Sequence, residues 1–319
     1  MQKPNAKTSH KIVMTRRGIV MYDPSIPMTA RFDRKESDEF LRHKHDWDKL
    51  DEHCEIAHIE ITPNCNRQCV YCYNPKDEPQ LDMKALQDIM DNLAKAKVFQ
   101  ITFGGGEPFL RKDIFALALY ARSVGLNVCA TTNGDILGTL CEGDPDCSDI
   151  AAFGQINVSY HGDDLFFKNL ARIAPICKKH NVKLGINFCC QDSYMESLEL
   201  VAKQAALFNA ELLLLAYKPV RVPISGPSQV QILIKAFELA SRYKINTAVD
   251  GACARRCYAS LKFADIHADG TVSVCSFLRQ SIGNSLKEDF TKIWARRPKE
   301  IECPYFPGVK NNPRGTSIL

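Results

Sequence analysis

Three cysteines, Cys65, Cys69 and Cys72, fall within eight residues in the stretch Thr62-Pro63-Asn64-Cys65-Asn66-Arg67-Gln68-Cys69-Val70-Tyr71-Cys72. Pro63, Asn64 and Asn66 mark the stretch as a loop rather than a helix or strand. Such a loop can curl three thiolates around one soft metal centre. Cysteine makes up 14 of 319 residues, and at that frequency these offsets would coincide by accident only about 0.03 times. Three readings are open: unrelated buried thiols, a structural zinc site, and an iron–sulfur cluster. Zinc wants four closed ligands in paired spacings, and no fourth lies nearby. A cubane held by three thiolates leaves one metal corner without a protein ligand, and this reading fits the count best.

The spacing Cys65-xxx-Cys69-x-Tyr71-Cys72, with an aromatic residue before the third cysteine, resembles the CxxxCxφC loop of the radical S-adenosylmethionine (SAM) enzymes. The resemblance implies a [4Fe-4S] cluster on Cys65, Cys69 and Cys72. Its open iron would chelate SAM, and its reduced form would cleave SAM to a 5'-deoxyadenosyl radical. Gly104-Gly105-Gly106-Glu107-Pro108 is similar to the family's GGEP motif, which holds the SAM amino group, so these residues and Tyr71 are expected to line the cofactor site. Taken alone, a glycine turn is equally a tight strand-to-helix connection. Thr132 and Asn133, Ser159 and His161, and Asn187 stand at three further strand ends. They resemble the positions that contact the ribose and carboxylate of SAM; without a ligand they read as turn formers. Where many relatives carry an acidic residue near position 161, this chain has His161.

Other residues are candidates for the chemistry itself. Cys189 and Cys190 are adjacent, which suits neither for chelating one metal together. They read either as a structural pair or as a hydrogen-atom donor to a substrate radical, and Cys141 and Cys147 read the same way. Tyr217 and Arg221 follow a strand and are candidates for substrate or cofactor contact. His43, His45, His53 and His58 have no companion ligands in their own stretch.

The elements that position these residues alternate. Short apolar runs predict buried strands over 55–61, 98–103, 126–131, 155–160, 183–188 and 211–216. Stretches of 3.6-residue periodicity predict helices over 82–96, 113–124, 163–180, 194–208 and 228–243. Strands joined by helices imply parallel units, hence an α/β fold with a partial (β/α)6 TIM-like barrel, its chemistry at the C-terminal strand ends. Residues 138–149 read as a loop. The expected organisation is an N-terminal extension over 1–54, the barrel over 55–245, and a cysteine-rich β-hairpin/helix module over 246–319. In the extension, Lys11–Met14 and Gly18–Tyr22 suit a hairpin across Thr15-Arg16-Arg17, a candidate peptide-docking strand, and 31–52 suits an amphipathic helix.

In the module, Asp269-Gly270 is a hairpin turn signal. Cys257 is followed by twelve residues, Gly270, four residues and Cys275, which resembles the Cx9-15Gx4C half-motif of the SPASM and twitch extensions of radical SAM enzymes. This implies one auxiliary iron–sulfur cluster, with Cys257 and Cys275 joined by Cys253 and Cys303. Four thiolates suit zinc as well by ligand type.

Lys plus Arg number 41 and Asp plus Glu 37, a balance that gives no nucleic-acid signature. No run of 18 apolar residues suggests a membrane span. The first residues lack the apolar core of a signal peptide, and many cysteines without an export signal suggest a reducing compartment, so a cytoplasmic location is expected. The resemblance implies a radical SAM enzyme supplied with electrons by a flavodoxin or ferredoxin. Its substrate is expected to be a peptide or protein, modified by crosslinking, epimerisation or oxidation. The alternatives are a dehydrogenase or cofactor-assembly enzyme acting on a small molecule, and a non-catalytic iron–sulfur or zinc protein.

Overall fold

The structure, a computed structural model, describes residues 11–23, 28–253 and 257–311. Two sheets organise them. The first is antiparallel: β1 (Lys11–Thr15), β2 (Gly18–Asp23) and β3 (Met28–Phe32) lie in that order. The hairpin turns at Arg16-Arg17, with Thr15 opposite Gly18; the third strand was not expected. Within 31–52 the α-helix is confined to Arg34–Leu41, opened by a capping box between Asp33 and Glu36, and Trp47–Lys49 forms a single 3-10 turn.

The second sheet holds β4 (Ile56–Thr62), β5 (Gln100–Gly105), β6 (Asn127–Thr132), β7 (Gln155–Tyr160), β8 (Lys183–Cys190), β9 (Glu211–Ala216) and β10 (Thr247–Val249), all parallel. The six expected strands are the first six of these. The module adds β11 (Phe263–Ile266), β12 (Thr271–Ser273) and β13 (Ser281–Asn284). The strand order is β10-β9-β8-β7-β6-β5-β4-β11-β12-β13, with β11 parallel to β4 and the last pairs antiparallel. Among the described residues the sheet does not close, so the barrel is partial.

Side chains alternate across each strand, and here the two faces differ in kind. Ala57, Ile59, Ile61, Ile101, Phe103, Ile156, Val158, Ile186 and Phe188 pack outward into one apolar core under the helices. The opposite, concave face carries His58, Glu60, Thr102, Asn157, Ser159 and Asn187, tied in part by bonds such as Gln155 Nε2 to Asn157 Oδ1 at 3.0 Å. An inward polar face cannot pack shut as the apolar interior of a closed barrel does.

Helices Met83–Lys95, Ile114–Ser123, Leu165–Lys179, Leu198–Phe208 and Gln229–Tyr243 cover the outer face. The first buries Leu86, Ile89, Met90 and Leu93, the i, i+3, i+4, i+7 stripe of an amphipathic helix. Two helical stretches depart from expectation. Of the loop expected over 138–149, residues 138–143 belong to the helix Asp135–Gly143, and 194–208 divides into Asp192–Met195 and Leu198–Phe208. Among the described residues no helix is long and apolar enough to cross a membrane.

Candidate active site

The cysteine loop leaves the C-terminal end of β4 and is fastened from three sides. Arg67 Nε and Nη2 bond both carboxylate oxygens of Asp135 at 2.7 Å, and Nη1 reaches Asp163 Oδ2 at 2.6 Å. A bidentate fork of this kind fixes orientation as well as position. Asn66 Nδ2 donates to Asp135 Oδ2 at 3.0 Å, and Asn66 Oδ1 accepts from Asn133 Nδ2 at 2.8 Å. The backbone of the glycine turn closes the third side: Gly106 N donates to Thr62 O at 2.7 Å and Glu107 N to Asn64 O at 2.8 Å. A Cβ on Gly106 would stand 1.9 Å from Asn64 O, so glycine is required there by close backbone approach.

Glu107 is 1% exposed. Its carboxylate accepts from Thr132 Oγ1 at 2.7 Å, Asn133 N at 2.8 Å and Phe109 N at 3.1 Å. Burial nevertheless holds its carboxyl above the ordinary range. These bonds tie β5 to β6, and they occupy the carboxylate that the resemblance assigned to a cationic ligand; Pro108 begins the short helical turn that Glu107 caps.

The three thiols are partly exposed. Cys69 Sγ lies 3.6 Å from His161 Nδ1, to which the Tyr71 hydroxyl donates at 2.7 Å. Burial, with Arg67 nearby, lowers His161 to about 4, so the ring is neutral and its Nδ1 can accept. Cys69, Tyr71 and His161 line a cavity of about 540 Å³ with Arg67, Gln191 and Tyr194. Ser159 and Asn187 are paired neighbours on the concave face, and Asn187 Oδ1 is buried without a hydrogen-bond partner. An orphaned buried acceptor on the concave face of the sheet whose strand ends carry the three partly exposed thiols is what a site for a polar cofactor requires, so the residues fit a cluster with SAM.

The adjacent cysteines part company. Cys190 is 1% exposed and packs in the apolar core, whereas Cys189 faces the concave side with Asn187. Burial raises the Cys189 thiol to about 11. The Tyr217 hydroxyl donates to Val222 O at 2.6 Å, and Arg221 Nη2 to Asn74 O at 3.0 Å. Both side chains therefore brace the loop after β9.

A second cavity, of about 500 Å³, is lined by Ile56 of β4, Phe263 of β11 and Lys218 after β9. Cys257, Cys275 and Cys303 line it, a donor set that fits an auxiliary cluster. Cys253 lies off that lining: it is buried, its N–H donates to Asp250, and burial raises its thiol to about 12. Residues 254–256 fall outside the described set. Lys218 Nζ bonds Asp250 Oδ2 at 2.6 Å and sits 4.7 Å from the Phe277 ring centre. Sequence reasoning passed over Arg67, Asp135 and Lys218. Arg67 stands inside the cysteine motif, which was a signal; its partners lie 68 and 96 positions away.

Residues 59–184 match the family model described as the radical SAM superfamily. The mycofactocin maturase MftC of Mycobacterium ulcerans is 30% identical over 149 residues, covering 39% of this chain and 40% of that protein. The Fe-coproporphyrin III synthase of Methanosarcina barkeri is 34% identical over 114 residues, 32% of this chain and 29% of that protein. Each match thus spans less than half the length of the curated relative. In fold, the chain resembles Streptococcus suis SuiB bound to its precursor peptide SuiA, with a TM-score of 0.68 at 15% identity over 92% of this chain and 89% of that one. The cysteine loop and the glycine turn locked against it lie within residues 59–184, the stretch that matches the family model, so this part of the chain is a radical SAM domain.

Proposed function

We propose that the chain is a radical SAM enzyme that modifies a peptide or protein, with Cys65, Cys69 and Cys72 holding the catalytic [4Fe-4S] cluster and Cys257, Cys275 and Cys303 holding an auxiliary one. When bound, the cluster and SAM supply a carbon radical that abstracts a substrate hydrogen atom. The chain's residues do the rest. Arg67 and the glycine turn fix the cysteine loop. Gly104, Gly105 and Pro108 shape the turn, and Asn187, Ser159, Thr132, Asn133, Tyr71 and His161 border the cofactor.

Cys189, protonated at neutral pH, is placed to return a hydrogen atom to a substrate radical. The thiyl left behind regains its hydrogen from one electron, supplied by a flavodoxin- or ferredoxin-type donor, and one proton. Tyr217 holds the loop that carries Lys218.

The observation that carries the peptide reading is the cavity of about 500 Å³ lined by three thiols together with Lys218 and Asp250. SuiB, captured with a precursor peptide, supports it through a fold shared over 92% of this chain, whereas the match to the coproporphyrin synthase covers 32%. That second relative favours a small-molecule substrate as the rival reading. The strand β1, at an edge of its sheet among the described residues and exposing Ile12 and Met14, offers an extended peptide a place to pair.

The test is anaerobic reconstitution, iron counting, electron paramagnetic resonance with and without SAM, and assay of 5'-deoxyadenosine. Mass spectrometry then follows candidate peptides and porphyrins. Absence of deoxyadenosine under strong reductant, or a spectrum unmoved by SAM, rejects the radical SAM reading. Turnover with a porphyrin or another small molecule and with no peptide rejects the peptide reading.

A further inference from the structure

One cluster of ligand-type side chains belongs to neither cysteine set. Glu60 of β4, Asp265 of β11 and His267 just beyond β11 are 1%, 0% and 3% exposed. Their donor atoms all lie within 4.8 Å of one another, the one such group of three among the described residues. His267 Nδ1 is 3.3 Å from Asp265 Oδ2 and 3.4 Å from Glu60 Oε1.

These contacts are not hydrogen bonds. His267 Nδ1, His267 Nε2 and Asp265 Oδ2 are all buried without a hydrogen-bond partner. Buried polar atoms in native proteins are nearly always satisfied, so three orphans in one place call for an explanation. Bonds of about 2.1 Å to one ion at tetrahedral angles set donors roughly 3.4 Å apart, close to the separations found.

Charge points the same way. Glu60 and Glu78 share Arg279, which bonds Glu60 at 2.6 Å and also reaches Glu78, while the Asp265 carboxylate faces His58 and His267. Three carboxylates against one guanidinium and the His58 imidazole leave the cluster acidic, which favours a cation. Glu60 Oε1 retains a lone pair beyond its bond to Arg279. The other oxygen of Asp265 is held by His58 Nδ1 at 2.5 Å, an orienting contact of the kind that supports ligating carboxylates.

We propose that Glu60, Asp265 and His267 form a mononuclear site for a first-row divalent cation, distinct from both cysteine-lined cavities. Mixed imidazole and carboxylate donors suit zinc, manganese or ferrous iron, whereas thiolates favour softer ions. The ion would bridge β4 and β11, the seam where the C-terminal strands join the barrel sheet.

The full chain, with clusters reconstituted anaerobically, is equilibrated with Mn2+ or Zn2+, desalted, and assayed for metal, iron and sulfide. Mn2+ is the primary probe because thiolates hold it weakly. The expected result is about one Mn2+ retained per chain, and at least tenfold weaker retention in His267→Gln and Asp265→Asn with iron unchanged. Parent protein that keeps less than a tenth of an equivalent of both ions overturns the site, as does retention equal to the parent in folded variants. Should a variant lose iron through misfolding, the parent stoichiometry and the rise of its unfolding midpoint with added Mn2+ decide: a full equivalent with a raised midpoint supports the site, and an unmoved midpoint overturns it.

Discussion

Replacing Gly106 with alanine tests whether the glycine turn acts by holding the cysteine loop. The added Cβ would lie 1.9 Å from Asn64 O, 2.5 Å from Asn64 C and 2.8 Å from Pro63 O. These are backbone atoms, so no rotamer change relieves the overlap. Restoring a contact of roughly 3.2 Å requires the turn and the loop to separate by about 1.3 Å, breaking the Gly106–Thr62 and Glu107–Asn64 bonds. At about 0.5–1.5 kcal/mol per hydrogen bond, the cost is about 1–3 kcal/mol. A displacement of about 1 Å can lower a rate on the order of a hundredfold. Gly106→Ala is therefore expected to lower the urea midpoint, to lose iron, and to form 5'-deoxyadenosine about a hundredfold more slowly. Gly143→Ala is the control: nothing lies within 4 Å of its Cβ, and at a helix end it should be neutral or stabilising by up to about 1 kcal/mol. A Gly106→Ala protein with parental midpoint, iron and turnover would refute the reasoning.

Arg67→Lys, which cannot reproduce the fork on Asp135, should cost about 2 kcal/mol in the urea midpoint, since each partly buried charge-assisted bond contributes about 1.5–3 kcal/mol, and should lower iron retention; an unchanged midpoint would show the fork to be idle. Serine in place of Cys257, Cys275 or Cys303 should each remove the same share of iron per chain, whereas Cys253→Ser should leave iron intact, as elemental analysis will show. Cys189→Ser should abolish product formation while leaving the unfolding midpoint in place. Cys190→Ser should do the reverse, losing about 1–3 kcal/mol for a buried hydroxyl while retaining turnover.

The strands were legible because each is a short apolar run, and two of them, over 155–160 and 211–216, coincide with the expected bounds. What the sequence hid was mostly non-local. The helix Asp135–Gly143 contains Gly138, Thr139 and Gly143, poor helix formers; packing supplies the reason for it, with Gly138 against Asn169. His58 looked solitary because its partner Asp265 is 207 positions away. The cysteine loop could be read as three ligands, but its clamp could not, since Asp135 and Asp163 enter from the ends of two other strands. Spacing singled out Cys257 over Cys253, and the fold puts Cys257 at the cavity wall and Cys253 beside Asp250.

The pairing of β11 with β4 bears on how this chain can be divided. By composition the C-terminal segment is an appendix to the barrel, yet Phe263 to Ile266 match Ile56 to Ile59 residue for residue along a parallel ladder, and Trp294 Nε1 and Arg297 fasten the same segment to Glu52 and Asp51. A chain cut near residue 250 would uncover the row of amides and carbonyls along β4, and an exposed strand of that length invites pairing with other chains. The barrel strands and the cysteine-rich segment thus share one continuous sheet, and separating them anywhere along the β4–β11 ladder leaves a sticky seam.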